Sequence, residues 1–350
     1  MDSLTQAVLG AGIGGAMLGR FHGRKAVAAG ALLATLPDLD VVIRYADPVS
    51  AMINHRGFSH SVFVLTAASA LLAWAVRRCA PRRDYGPWLL FLAIWLMLVT
   101  HPLLDAFTSY GTQLFWPLRP TPTSWSSIFI IDPFFTVPLT LAVLAALAFG
   151  AGSRARRAMA WALAWCAAYL ALSIAFKHII EARVRESLQR EGVRVQALFS
   201  TPEPFNILLW RVAARDDGDH YHEAIAGLLD TGPGERIRLP LNSALAGAVP
   251  DSHWLDGLRW FSGDWLRYDE IDRKLVVSDL RMGLGAGYYS FRFLMAERGA
   301  DGAWTAVTPS MWPGRRGLDE LGAVLRRVWR QSPPLPQQRW EARMRGPAAP

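Results

Sequence analysis

The sequence predicts a mainly α protein: a polytopic membrane helical bundle of about six apolar segments, followed by a C-terminal α+β extramembrane domain. Three observations carry this expectation. The 350 residues are 52% hydrophobic and 19% charged, whereas about 25% is usual for a soluble chain. Charge is unevenly spread: residues 1–176 hold 13 Lys and Arg against 7 Asp, and residues 177–350 hold 24 against 22 Asp and Glu. Apolar stretches recur at 4–19, 26–43, 59–76, 88–107, 128–150 and 158–176. These divide the chain into a membrane-embedded helical domain (1–176), a charged helical connector (177–200), an α+β domain (201–332) and a disordered Pro-rich tail (333–350).

Each stretch can be weighed against the hydrocarbon core, which needs about 20 residues at about 1.5 Å each. The last four are long enough. The first two are shorter and rich in Gly and Ala, and so are either full spans packed in the bundle or half-inserted segments. The start of the chain does not read as a signal peptide, because Asp2 is acidic and no basic residue precedes the apolar run. "GAGIGG" at 10–15 satisfies G-x-G-x-x-G, yet no strand precedes it, and the dinucleotide motif needs strand, turn and helix. Gly10, Gly14, Gly15 and Gly19 are instead spaced for close helix packing in lipid.

The loops set an expected orientation. "RFHGRK" (20–25), "RRCAPRRDYG" (77–86) and "GSRARR" (152–157) are basic, which places them in the cytoplasm of a multi-pass protein of the inner (plasma) membrane. With six crossings, the alternate connections and everything after about residue 177 then lie on the extracytoplasmic side. The isoelectric point near 9.9 is explained by these loops; no basic helix or basic-aromatic stripe marks a nucleic-acid partner. Cys79 and Cys166 are the only cysteines, too few for a disulfide framework or a cysteine-type zinc site.

After residue 177 the chain changes character. "KHIIEARVRESLQREG" reads as a charged helix prolonging the sixth stretch. "FNILLWRVAA", "YHEAIAGLL", "ERIRLPL", "KLVVSDLRMG" and "YYSFRFLMAE" read as strands, "DSHWLDGLRWF" and "GLDELGAVLRRVW" as helices. His220 and His222 alternate along one strand without a partner cluster and fit a solvated hairpin better than a metal site.

The chemistry concentrates in the first half. "LPDLD" supplies Asp38 and Asp40, "NHRGFSHS" supplies His55 and His60, "THPLLD" supplies His101 and Asp105, and "IIDPFF" adds Asp132. His101 and Asp105 are four apart, so a helix projects both from one face, and Pro102 should kink or restart that helix. Singly, each residue has a structural reading, as a helix cap, a turn or an interfacial histidine. Jointly, this many on one side of a charge-poor bundle point to a divalent ion, because imidazole with carboxylate suits zinc, manganese or iron and isolated charges near lipid are costly. The residues suffice for one ion or two.

The same stretches carry a resemblance. "LPDLD", "HRGFSHS" and "THPLLDAFTSYGTQLFWP" resemble the signature blocks of the YdjM-like family of membrane-bound, predicted metal-dependent hydrolases. The resemblance is most specific over about 1–140. "MDSLTQAVLGAGIGGAMLG", "TPEPFNILLWRV" and "SDLRMG" are similar to blocks of one branch. It implies membrane location, a divalent metal and hydrolysis, with Asp38, Asp40, His55, His60, His101 and Asp105 as the motif positions. Many relatives have a histidine where this chain has Gln6, and often one where Val41 follows the Asp-x-Asp.

On this reading Asp40, His60, His101 and Asp105 hold the metal, with Asp38, His55 and Asp132 as further candidate ligands. Asp38 orients a ligand or acts as general base, and His55 is another ligand or the general acid. Arg56, with Arg44 and Arg119, supplies positive charge for an anionic, lipid-linked phosphoester; the alternative for Arg56 is anchoring to lipid headgroups. Two other classes stay open: a metal-stabilised membrane protein that presents its C-terminal domain without turnover, and an ion-coupled transporter. A transport path needs ionisable residues through the bilayer depth, and the inner halves of these stretches carry almost none.

Overall fold

The structure is a computed structural model and describes residues 1–81, 84–285, 288–313 and 318–345. The chain divides into two compact units. One comprises Met1–Ile43, His55–Trp125 and Ile130–Leu172, the other Arg44–Asn54, Ser126–Phe129 and Ser173–Pro350.

The first unit begins with helix α1 (Ser3–His22), capped by Asp2, whose carboxylate accepts from the Thr5 amide at 3.0 Å. Gly23, at φ 58°, ends it and starts α2 (Arg24–Thr35). The two helices meet at their glycines. A Cβ on Gly10 or Gly30 would overlap the other's carbonyl oxygen, and one on Gly14 would overlap that of Ala26. The four-residue glycine spacing is therefore a backbone-to-backbone helix contact, as expected. α2 stops before Pro37, where a 3-10 turn, Pro37–Val42, takes over.

The short α3 (Pro48–Asn54) belongs to the second unit. The first unit resumes with a 3-10 turn at Phe58–His60, then α4 (Val62–Cys79), capped by Ser61, and α5 (Pro87–Ala106). α5 runs on through Pro102 to Ala106 rather than restarting there. α6 (Pro133–Phe149) and α7 (Ser153–Arg190) follow. α1 packs on α2, α5 and α6. α7 is one continuous helix of 38 residues, apolar first and then charged.

Among the described residues three helices, α4, α5 and α7, are long and apolar enough to cross a membrane; α6, with 17 residues, is a shorter apolar helix. The expected count of about six crossings is therefore not supported. α2 has only 12 residues before its proline stop, too few for about 30 Å of hydrocarbon. α1 dilutes its apolar residues with glycines, Thr5 and Gln6, most of them buried against neighbouring helices.

The second unit carries the sheets. β1 (Ala197–Pro202), β2 (Leu209–Arg215), β3 (His220–Gly227) and β4 (Glu235–Pro240) form an antiparallel meander. After α8 (His253–Ser262), β5 (Leu266–Ile271) and β6 (Lys274–Asp279) begin a second antiparallel sheet. The small pair β7 (Gly283–Leu284) and β8 (Tyr288–Tyr289) follows, and β9 (Arg292–Arg298) and β10 (Trp304–Met311) complete that sheet in the order β10-β9-β6-β5. The sequence pattern anticipated β2, β3, β4, β6 and β9 but not β1, β5 or β10. His222 is buried 3.5 Å from Asp216 rather than solvated.

The core of this unit mixes apolar and ionic contacts. Leu209 and Ile225 pack with Val324 and Val328 of α9 (Leu318–Trp329) and with Trp340 of α10 (Gln337–Arg345). Buried Arg211 pairs with Glu223, and buried Arg267 with Asp269 and with Glu341 of α10. The expected disordered tail thus gives way to a helix over 337–345, because Trp340 and Glu341 find partners in the core; residues 346–350 lie outside the described ones.

Candidate metal centre

Four side chains of the first unit converge. Asp38 comes from the turn after α2, His60 from the turn before α4, and His101 and Asp105 from the last turns of α5. One ligand atom from each lies within 4.8 Å of all the others. His60 Nε2 is 3.6 Å from Asp38 Oδ1 and 3.3 Å from Asp105 Oδ2. His101 Nε2 is 3.2 Å from Asp38 Oδ1 and 3.5 Å from Asp105 Oδ2. The helical i, i+4 spacing of His101 and Asp105 supplies one side of the cluster and the two turns supply the other.

Hydrogen bonds fix which nitrogen each imidazole presents. His101 Nδ1 lies 2.6 Å from the Ala34 carbonyl, which can only accept, so Nδ1 carries the proton. Ser59 Oγ donates to Asp40 Oδ2 at 2.9 Å and is left to accept from His60 Nδ1, also at 2.9 Å. Both rings therefore turn an Nε2 lone pair toward the centre, His101 oriented by a backbone carbonyl and His60 by the Ser59 hydroxyl that Asp40 holds.

The donor set fits a divalent cation. His60 Nε2 and Asp105 Oδ2 are buried and form no hydrogen bond; Asp105 Oδ2 has the Arg56 guanidinium as an ion-pair partner, whereas leaving the imidazole nitrogen unpartnered costs about 1–3 kcal/mol. A cation between them would remove that cost for His60. Two imidazoles with two carboxylates suit zinc, manganese or iron.

The cluster takes in Asp38, expected as an orienting residue, general base or further ligand, and leaves out Asp40, expected as a ligand. Asp40 stands one layer out and organises the 55–60 turn, accepting from the Arg56 amide at 2.9 Å and facing His55 Nδ1 at 3.0 Å. Asp38 joins the cluster itself. The alternation of inward and outward residues on a 3-10 turn cannot be assigned without its packing partners.

His55 lies beside Asp40 and Tyr110, half-buried, outside the four. Arg56 is buried and turned inward: Nε lies 3.2 Å from Asp105 Oδ2, Nη1 donates to Thr108 Oγ1 at 3.3 Å, and the guanidinium sits over the Tyr110 ring. Arg44 and Arg119 are exposed. Asp132 is not part of the cluster. It caps α6, accepting from the Phe134 amide at 2.9 Å, and receives the Tyr169 hydroxyl at 2.8 Å. Gln6 was noted only as a departure from relatives, yet its Nε2 donates to the His101 carbonyl and, at 3.1 Å, to Asp105 Oδ1, which also accepts from the Met1 amine. An amide inside an otherwise apolar helix was the signal for it. Ser59 carried no sequence signal.

A family model described as YdjM inner membrane protein matches residues 1–180, which include every residue of the cluster. The uncharacterized protein YfhP of Bacillus subtilis (strain 168) is 34% identical over 145 residues, covering 38% of this chain and 42% of that protein. The alignment thus spans less than half the length of that relative. No solved structure matches.

Proposed function

The chain belongs to the YdjM inner membrane protein family, and on that footing we propose that it is a membrane-bound metal-dependent hydrolase acting on an ester-type substrate, phosphoesters first. The observation that carries this reading is the cluster of Asp38, His60, His101 and Asp105, with two of its ligand atoms buried and forming no hydrogen bond. These four would hold one divalent ion, zinc on donor chemistry, with manganese and iron as alternatives. Bound there, such an ion supplies Lewis acidity and brings the pKa of water toward neutrality.

The chain's own residues do the rest. Asp38 has the only partly exposed side chain of the four, so it faces arriving substrate and can orient a water or take its proton. Asp40 and Ser59 hold the His60 ring. Arg56 is a positioning residue in this reading: it holds Asp105 rather than gripping substrate oxygens, and half-buried His55 is the group placed to give a proton to a leaving group.

The basic segments support placing the centre on the extracytoplasmic side. Arg77 and Arg78 end α4, whereas His60 precedes its start, and Asp105 ends α5, whose beginning follows residues 77–86. The cluster therefore belongs to the helix ends opposite the arginines.

Burial of His60, His101 and Asp105 favours a second reading, an ion that only braces the helix ends, since structural sites are closed and catalytic ones keep an open position. Metal analysis of the detergent-purified chain, followed by a panel of phosphoesters and carboxylic esters with zinc, manganese and iron, decides between them. Metal-dependent turnover lost on Asp38→Asn supports the hydrolase; stoichiometric metal without turnover of any ester supports the brace.

A further inference from the structure

The turn that carries Asp38 is apolar on its other side. Asp38 enters the cluster and Asp40 is buried, while Leu39, Val41 and Val42 of the same turn are 57%, 72% and 73% exposed. Phe58, on the turn that delivers His60, is 49% exposed and packs edge-on against exposed Trp116. The loop bearing Trp116 is pinned to this place: the Val62 amide donates to the Leu114 carbonyl at 2.9 Å, and Ser61 Oγ to the Trp116 carbonyl at 2.6 Å.

In water this would be an unfavourable surface, since contiguous exposed apolar groups mark a partner or a membrane. Here the covering is indicated by continuity. Phe58 lies just before α4, a candidate membrane span whose Phe63, Leu71 and Trp74 are exposed in turn. Exposed apolar side chains thus occur both along the span and on the turn before it that delivers His60. Asp38, the one cluster ligand whose side chain is 25% exposed, shares its turn with Leu39, Val41 and Val42, so access to the cluster borders that surface.

We infer that the centre opens onto the bilayer and that its substrate is a bilayer-resident amphiphile. Its hydrocarbon chain lies along Leu39, Val41, Val42 and Phe58, and its ester group reaches Asp38 with His55 at the polar edge. The chemistry of this inference rests on the proposed hydrolase; the lipid-facing mouth does not.

The test has two arms, both on the full chain in phosphatidylethanolamine–phosphatidylglycerol vesicles. In a Cys79→Ser, Cys166→Ala background, a nitroxide on Val42→Cys should collide more often with oxygen than with an aqueous nickel chelate. A label that meets the chelate more often overturns the inference, whatever the protein hydrolyses. With zinc or manganese supplied, a long-chain ester in the vesicle should be cleaved in preference to its short-chain soluble analogue, and Leu39→Ser with Val42→Ser should lower that ratio by about tenfold. Equal cleavage of both esters, unchanged by the double substitution, overturns the substrate assignment. An immersed label with no cleavage of either ester overturns the hydrolase and its substrate, and leaves the lipid-facing mouth standing.

Discussion

His60 Nε2 lies 3.3 Å from Asp105 Oδ2, and although that separation is within reach, the geometry forms no hydrogen bond for either atom. One side chain comes from a turn before α4 and the other from the end of α5. Every other polar atom of these two side chains is engaged: Asp105 Oδ1 accepts from Gln6 and the Met1 amine, and His60 Nδ1 meets Ser59. Two buried ligand atoms that form no hydrogen bond, within a cluster of four residues that could hold a metal ion, make this a candidate metal site.

Replacing His60 and His101 together by Ala should reduce the metal content of the purified chain from about one ion to background, since two of four ligands are lost. Asp132→Asn should leave the content unchanged, because Asp132 serves α6 and Tyr169. Elemental analysis by mass spectrometry reads both, and retained metal in the double variant would refute the site.

The different placement of the two aspartates is separately testable. Asp38→Ala should abolish binding, whereas Asp40→Asn should weaken it about 10–100-fold by loosening Ser59 and the His60 ring. Chelator competition measures the two affinities. Equal losses, or a larger loss at Asp40, would return Asp40 to the ligand set.

Gly30→Val should destabilise the first unit by about 1–3 kcal/mol or more, since its Cβ would overlap the Gly10 carbonyl and two backbones must separate. Gly86→Ala, with nothing within 4 Å and φ −72°, is the control and should be near neutral. Thermal unfolding in one detergent compares them; equal melting temperatures would mean that the helices do not meet there.

Glu203 predicts a pH effect in the second unit. Burial pushes its carboxyl up from an ordinary 4.5 to about 8, against the Gly285 amide and Arg211, which favour ionisation. Oε1 accepts from the Gly285 amide at 2.6 Å and Oε2 has no partner. Between these pH values the folded carboxyl keeps its proton while the unfolded one loses it, so stability is fully present below 4.5 and falls as pH rises to about 8. Glu203→Gln, neutral throughout, should remove this slope, with the variant gaining on the parent by a few kcal/mol at pH 8 relative to pH 5. Parallel melting curves for the two proteins across that range would contradict the buried-acid account.

Much of this protein was legible in its sequence because periodicity and composition are local. The glycine spacing in α1 announced a close helix contact, His101 and Asp105 announced one helix face, and alternating runs announced β2, β3, β4, β6 and β9. The count of about six crossings is not supported, because the 26–43 stretch, left open as a full span or a half-inserted segment, is a short helix followed by a turn that begins at Pro37. The tail failed for the opposite reason, since Trp340 and Glu341 are ordered by partners far away in the chain.

By itself, then, the sequence determined that histidines and aspartates gather at the ends of apolar segments, and that the second half is a mixed α and β unit. Only the tertiary structure decided which of Asp38 and Asp40 enters the cluster, that Arg56 faces Asp105, that Asp132 serves a helix cap, and that Leu39, Val41 and Val42 stand exposed. The physical reason is that a side chain's direction on an irregular turn is set by what packs against it. The contacts that set it here come from the 55–60 turn for Asp40, and from α5 and the 107–125 loop for Asp38 and Arg56.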